Sequence, residues 1–271
     1  MKLFLYILLV FSVLSSCSEY QKLLKSEDIA EKFKMGDSLY GLEKYEKANK
    51  LFAQIVPNYR GKPQAEKLMY LYSNTFYKLQ EYNTAEYQFD RFVSSYPNSE
   101  KLEEVSFLSA KSSYMRSPEF SKDQTETKIS IEKLQNFLNL FPNSEYAPEA
   151  NVLFTELDFK LEKKAFEIAK QYKVIAPGYT RDFNAAIKAF DNFIFEFPGS
   201  VLREDVLFYK FDAAYQQAIN SVDYKKEERL KQAKEYYTVF KKSYKESKYF
   251  QDADEMAVSI EEELKNYSKK S

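Results

Sequence analysis

Apolar side chains return along this chain at offsets of four and three, in blocks that repeat. Four segments align on a small residue, an aromatic or leucine four positions on, and an aromatic three further. They are Ala85, Phe89 and Phe92; Ser130, Leu134 and Phe137; Ala186, Phe190 and Phe193; and Ala233, Tyr237 and Phe240. Ala48, Phe52 and Ile55 form an earlier fifth copy. Offsets of four and three place all three side chains on one helix face. Each block then runs into a turn: Tyr96-Pro97-Asn98-Ser99, Phe141-Pro142-Asn143-Ser144, Phe197-Pro198-Gly199-Ser200, and Tyr244-Lys245-Glu246-Ser247 as a worn version. The first copy has Arg60 where the others carry proline. Proline ends a helix because it lacks an amide donor and clashes with the preceding turn. Ser99 and Ser144 are expected to cap the next helix, with Glu100 and Glu145 in its first turn, where the helix dipole favours negative charge.

A partner helix precedes each block. Gly36 stands twelve residues before Ala48, and Ser73 twelve before Ala85, as small residues where two antiparallel helices approach. Met35, Leu39, Tyr72 and Phe76 flank them as apolar packing. Small residue in helix A, Ala–aromatic–apolar in helix B and proline at the exit resemble the tetratricopeptide repeat (TPR). The anchors Ala48, Ala85, Ser130, Ala186 and Ala233 are spaced 37, 45, 56 and 47 residues apart. A uniform array would hold close to 34, so units three to five carry insertions. Ser117–Gln124 is expected as a loop inside unit three, and Ser221–Lys226 as a charged loop inside unit five. Ala147 to about Ile175 reads as a helix of double length, broken at Ala176-Pro177-Gly178. The predicted fold is all-α: a TPR-like α-solenoid of about five helix pairs, in units 26–60, 62–99, 100–144, 145–200 and 201–247. An amphipathic helix over 249–267 would cap the open end.

Composition narrows the chemistry. The 271 residues carry Lys+Arg 40 against Asp+Glu 41, a net charge of −1, which argues against a nucleic-acid binder dependent on displacing counterions. Histidine is absent and Cys17 is the sole cysteine, so His-dependent triads, zinc sites and intrachain disulfides are excluded. Five glycines leave no phosphate-cradling loop. No cofactor or metal is expected. A glycosidase pair could be sought among Glu31, Asp37, Glu81 and Glu86, but it must flank a bond at about 5–9 Å in a shaped cleft. Nothing separates such a pair from the other acidic residues, and the chain reads as non-enzymatic.

The amino terminus has its own pattern. Leu3 to Leu14 is an uncharged run of twelve residues after Lys2. It is too short to cross a bilayer, which needs about 20 apolar residues, and it suits a secretory signal. The run ends in Leu14-Ser15-Ser16-Cys17, which resembles the bacterial lipobox. That resemblance implies cleavage after residue 16, acylation of Cys17 and a lipidated tether over 17–25; an ordinary signal with a chance cysteine is the alternative. More than one acyl chain gives stable anchoring. Ser18 after the cysteine favours the outer membrane by analogy, and the single Glu19 gives little of a surface-export signal, so the periplasmic face is expected.

Taken together, the chain resembles the BamD family, the lipoproteins of the outer-membrane β-barrel assembly machinery. The resemblance rests on the lipobox, five helix pairs with unequal insertions, Thr84-Ala85-Glu86 with Asp90-Arg91-Phe92-Val93 and Pro97, and Phe141-Pro142-Asn143-Ser144-Glu145-Tyr146 leading to Ala150. It implies a scaffold that recognises segments of unfolded outer-membrane proteins with its amino-terminal units. Its carboxy-terminal units would dock to the POTRA domains of a BamA-like barrel subunit. Lys188-Ala189-Phe190 offers no arginine where family contacts in unit four would want one, so those contacts do not transfer.

Residues beside the small packing positions of helix A would line the groove of such a solenoid. They are Phe33, Asp37 and Tyr40 in unit one, Tyr70, Asn74 and Tyr77 in unit two, and Phe107, Lys111 and Tyr114 in unit three if Ala110 is its small position. Tyr and Phe offer apolar area with few rotors to freeze, Asn74 could bond an extended peptide, and Lys111 could pair with a terminal carboxylate. The alternative is that these rings pack between repeats as core. Lys241, Lys242, Lys245 and Lys248 form a candidate docking edge for an acidic partner, against the simpler reading of solvated helix surface. Two other functions stay open: a TPR lipoprotein scaffold coordinating envelope constriction or peptidoglycan synthesis, and a nutrient-uptake lipoprotein. Missing heptads weigh against the first; the absence of tryptophan and the modest length weigh against the second.

Overall fold

A computed structural model of the chain describes residues 19–180 and 183–268. After a short helical stretch at 19–25, the chain forms α1 (Ile29–Gly41), α2 (Tyr45–Ile55), a 3₁₀ turn (Val56–Tyr59), α3 (Ala65–Lys78) and α4 (Tyr82–Ser95). There follow α5 (Leu102–Arg116), α6 (Thr125–Leu140), α7 (Ala147–Ile175), α8 (Asn184–Glu196), α9 (Arg203–Ile219), α10 (Asp223–Ser243) and α11 (Phe250–Ser268). The described residues contain no strand. The fold is all-α, built from TPR-like helix pairs.

The periodic anchors explain the pairing. Ala48, Ala85, Ser130, Ala186 and Ala233 are all fully buried, and so are Phe52, Phe89, Phe92, Leu134, Phe190, Phe193 and Phe240. Small residues at the crossing let the backbones close up. A Cβ placed on Gly36 would lie 2.5 Å from Phe52 Cε1, so that ring already fills the space a side chain would need. In the third pair the crossing is polar, with Ser113 Oγ 2.9 Å from Ser130 Oγ.

At three of the junctions a turn serine ties one pair to the next. Ser99 Oγ accepts the Lys101 N–H at 2.9 Å and donates to Glu66 of α3 at 2.6 Å. Ser200 accepts from Leu202 and donates to Glu162 of α7 at 2.6 Å. Ser247, in the turn without proline, accepts from Tyr249 and donates to Glu204 of α9 at 2.6 Å. These serines do not cap helices directly. α5 and α7 begin at Leu102 and Ala147, so Glu100 and Glu145 precede the first turn, and Glu103, Glu104 and Glu149 occupy it. The expected loop at 221–226 is also shorter than expected. Only Asn220, Ser221 and Val222 separate α9 from α10, because Asp223 supplies the favourable first-turn acid and Lys226 is drawn onto Glu263 of α11 at 3.1 Å. The double-length helix ends at Ile175, and Ala176–Thr180 continue as a π-helical turn where a break was expected.

The chain packs as two compact units. Among the described residues, one comprises those up to Pro118 with Gln124–Leu157; the other comprises Glu119–Asp123 with those from Asp158 on. The first holds three successive apolar clusters, centred on Phe52, on Phe89 with Phe92, and on Leu134 with Phe137. Its helices α4, α5 and α6 are also joined by a half-buried ion network. Glu86 meets Arg116 at 2.5 Å and Lys133 at 2.8 Å, Arg116 reaches Glu126 at 2.6 Å, and Lys133 reaches Asp90 at 2.6 Å. Glu86 is therefore neutralised by two cations and acts as a structural residue. The second unit has one continuous core, including Phe190, Phe193, Phe211 and Phe240.

Candidate functional site: the helix-A row of the first unit

The first helices of successive pairs, α1, α3, α5 and the start of α7, carry a row of donors and acceptors that meet across neighbouring pairs. Lys67 of α3 donates to Asp37 of α1 at 2.6 Å. Tyr70 donates its hydroxyl to Glu104 of α5 at 2.5 Å, and Lys101 holds the other Glu104 oxygen at 2.8 Å. Lys111 donates to Glu149 of α7 at 2.6 Å, and Tyr114 donates to Glu156 at 2.5 Å. Six of the nine groove candidates fall on this row or beside it.

Burial separates the candidates. Phe33 is buried and stacked on Tyr59 with centroids 5.6 Å apart, and Phe107 is buried and stacked on Tyr146 at 5.1 Å. Asn74 is 4% exposed and gives an amide hydrogen to the Tyr70 carbonyl of its own helix. The structure thus places Phe33, Phe107 and Asn74 in the packing between pairs. Tyr40, Tyr70, Tyr77 and Tyr114 are half-buried, with Tyr40 edge-on to Tyr45 and Tyr77 edge-on to Tyr82.

The electrostatics reflect this clustering. Burial, then the Tyr45 and Glu104 neighbours, pushes the Tyr40 hydroxyl up to about 12. The hydrogen bond to Glu156, followed by burial, pushes Tyr114 up to about 12. Tyr70 is raised by burial and by Glu104. At Lys111, burial disfavours the ammonium, but hydrogen bonds to Glu149 and Tyr77 outweigh it and raise its pKa. Tyr77 is raised by burial against the opposing pull of Lys111. The row therefore presents neutral hydroxyls and charged ammonium groups, already matched by the protein's own carboxylates.

Those carboxylates, Glu104, Glu149 and Glu156, are absent from the candidates found by spacing alone. An acid in the first turn of the next helix A (Glu104, Glu149) is the signal that would have found two of them.

The proposed docking lysines divide in two. Lys241 is held by the Tyr237 hydroxyl at 2.8 Å and by Asp254 at 3.3 Å, and Lys248 pairs with Asp205 at 2.9 Å. Lys242 and Lys245 are exposed, and no partner meets them among the described residues. Cys17 lies outside the described residues. No helix among the described residues is long and apolar enough to cross a membrane.

Paired helices crossing at small residues and joined through serine turns define a TPR-like helical-repeat protein. The family described as outer membrane lipoprotein, YfiO, matches residues 26–177, more than half of the chain, and the chain belongs to that family. No curated protein matches it.

Proposed function

We propose that this outer membrane lipoprotein is a BamD-like, non-enzymatic scaffold of β-barrel assembly. It would be held at the periplasmic face of the outer membrane through acylated Cys17. The helix-A row of the first unit contacts segments of unfolded outer-membrane proteins, and the second unit docks to the POTRA domains of a BamA-like barrel subunit. What carries this reading is the family match over residues 26–177, which spans the donor row from Asp37 to Glu156. Half-exposed tyrosines suit an extended client, because their rings bury apolar area at little rotamer cost while their hydroxyls stay polar. Lys242 and Lys245 remain candidates for the docking edge, whereas Lys241 and Lys248 would first have to leave Asp254 and Asp205.

Affinity purification of the tagged full-length chain in mild detergent tests the reading. A barrel protein with POTRA domains is expected among the retained proteins. Recovery of division or peptidoglycan-synthesis proteins alone would overturn it in favour of an envelope-constriction scaffold.

A further inference from the structure

The turn between the helices of the first pair has a counterpart in the second. Leu42 and Leu79 each end helix A, and each gives its amide hydrogen to a carbonyl four residues back. Glu43 and Gln80 follow with φ of 58° and 61°. Lys44 and Glu81 then close the turn onto the carbonyls of Leu39 and Phe76, both at 2.9 Å. The backbone repeats, but the cover over the leucine does not. Leu79 is half-buried, whereas Leu42 is 61% exposed.

What reaches this end of the first pair is the amino terminus. Tyr20 is only 6% exposed, although it precedes α1 by nine residues. Its hydroxyl donates to the Lys47 carbonyl at 3.3 Å, and the Lys47 ammonium stands 5.3 Å from the centre of its ring. Lys47 lies in the first turn of α2, three residues or about 4.5 Å of helix beyond Lys44. Residues 19–25 are helical, and the Ser26 amide closes them on the Lys22 and Leu23 carbonyls. This part of the expected tether is therefore folded against α2.

Chain length then sets the reach. Cys17 precedes Tyr20 by three residues, which span at most about 10 Å. With Tyr20 released, the next holding point is Asp28, the cap of α1, and the eleven residues from Cys17 could span about 37 Å. While Tyr20 stays docked, acyl chains on Cys17 can enter only a membrane that passes close to the first turn of α2. The charges at this end suit lipid phosphates. Lys44 and Lys47 are exposed and Glu46 is held by Lys50 at 2.8 Å, which leaves two ammonium groups against the Glu43 carboxylate.

We propose that the turn Leu42–Lys44 is a membrane-contact tip: Tyr20 pins the acylated end of the chain beside it, and Leu42 enters the bilayer interface with Lys44 and Lys47 at headgroup level. The proposal rests on the anchoring of Cys17, and it gives the anchored chain one fixed face toward the lipid. Tyr20 acts as a positioning residue. It converts a loose leash into a short, directed attachment.

The chain has no tryptophan, so Leu42→Trp introduces a single indole, a ring that itself favours the interface. The variant is prepared as the acylated full-length protein. Fatty-acid labelling of Cys17 and flotation with vesicles of phosphatidylglycerol and phosphatidylethanolamine confirm the anchor. Its emission is then read in the same lipids brominated high on the acyl chains. Roughly half of the emission is expected to be quenched, on the order that fits a ring at interfacial depth. Tyr20→Ala in that background should remove most of the quenching while flotation stays complete. A ten-residue Gly/Ser insert after Ser18 leaves Tyr20 in place, lengthens the leash by about 17 Å and should have the same effect, so the test holds even where Tyr20→Ala loosens the first pair. A labelled, floating protein whose indole is unquenched, or quenched alike with and without the insert, overturns the tip and leaves the anchor standing. Absence of label and of flotation overturns both.

Discussion

The two units use one device in opposite ways. In each, a cation or hydroxyl on the first helix of one pair meets an acid on the first helix of a neighbouring pair. In the second unit, Lys173 of α7 meets Asp212 of α9 with side-chain exposures of 23% and 14%, and Tyr249, in the turn just before α11, meets Asp205 of α9. The rings there are covered by other rings: Phe208 stacks on Tyr249 with centroids 4.0 Å apart, and Tyr209 sits among Phe166, Phe190 and Phe208. In the first unit the Lys67–Asp37 pair stands open to solvent, only the glutamate of Lys111–Glu149 does, and the tyrosines are half uncovered. A buried pair is costly to break, because the abandoned charge has no water to turn to; an open pair can exchange. By that measure Lys173–Asp212 in the second unit is the costlier pair to break and Lys67–Asp37 in the first the cheaper.

Separate cores make this comparison breakable, and the largest effect comes from emptying one core at a time. Phe89 in the first unit and Phe211 in the second are both fully buried. Phe89→Ala and Phe211→Ala should each cost about 3–5 kcal/mol. Amide hydrogen exchange is expected to quicken chiefly in the unit that carries the substitution, since its apolar cluster contains no residue of the other. Equal loss of protection in both units after either change would show one cooperative block and remove the ground for contrasting them.

The elements of this contrast were unequally readable from the amino-acid string. Ala85, Phe89, Phe92 and Pro97 sit within thirteen residues, so helix periodicity and a proline stop reveal the second helix of the pair directly. The double-length helix was readable too, because nothing between Ala147 and Ile175 interrupts the apolar stripe. The Ser221-Val222-Asp223 junction was not, since a run of charges reads equally as loop or as exposed helix until Lys226 finds Glu263 on α11. The helix-A row was legible by half. Tyr70, Lys111 and Tyr114 follow from their distance to small packing residues, but Glu104, Glu149 and Glu156 lie 34 to 42 residues away, and only folding brings them near. Spacing also cannot distinguish a ring that faces the groove from one that faces the next pair, and so Phe33 and Phe107 shared a pattern with Tyr40 and Tyr114.

Raised tyrosines sharpen the comparison by a smaller effect, through pH. Tyr40 and Tyr114 rise from an ordinary 10.0 to about 12, Tyr40 mainly through burial and Tyr114 mainly through its bond to Glu156. A folded-state value above the unfolded one means that the native state holds the phenol proton more tightly. The stability this contributes is complete below pH about 10 and is lost as pH climbs from about 10 through about 12. Phenolate absorbance of the folded chain should therefore lag that of the urea-unfolded chain over this range. Tyr114→Phe should remove part of the lag without altering helicity. Coincident curves for folded and unfolded chain would mean that the row leaves its hydroxyls fully hydrated, and the first unit would lose its polar distinction.

The smallest effect concerns what both units share. Ser99, Ser200 and Ser247 each take an amide hydrogen from two residues ahead and give their own to a glutamate of the preceding helix A. Replacement by alanine should cost about 0.5–1.5 kcal/mol at each place, the ordinary net value of one hydrogen bond, measured by urea denaturation. The informative quantity is the ranking. Ser247 follows Lys245-Glu246, where the other two turns have proline with asparagine or glycine, so its turn lacks the ring that fixes φ and depends more on the bonds to Glu204 and Tyr249. Ser247→Ala should therefore cost at least as much as Ser99→Ala. A clearly smaller loss at Ser247 would mean that proline, rather than the serine bridge, sets the angle at which one pair joins the next. The turn at 244–247 would then have no shared basis with those at 96–99 and 197–200.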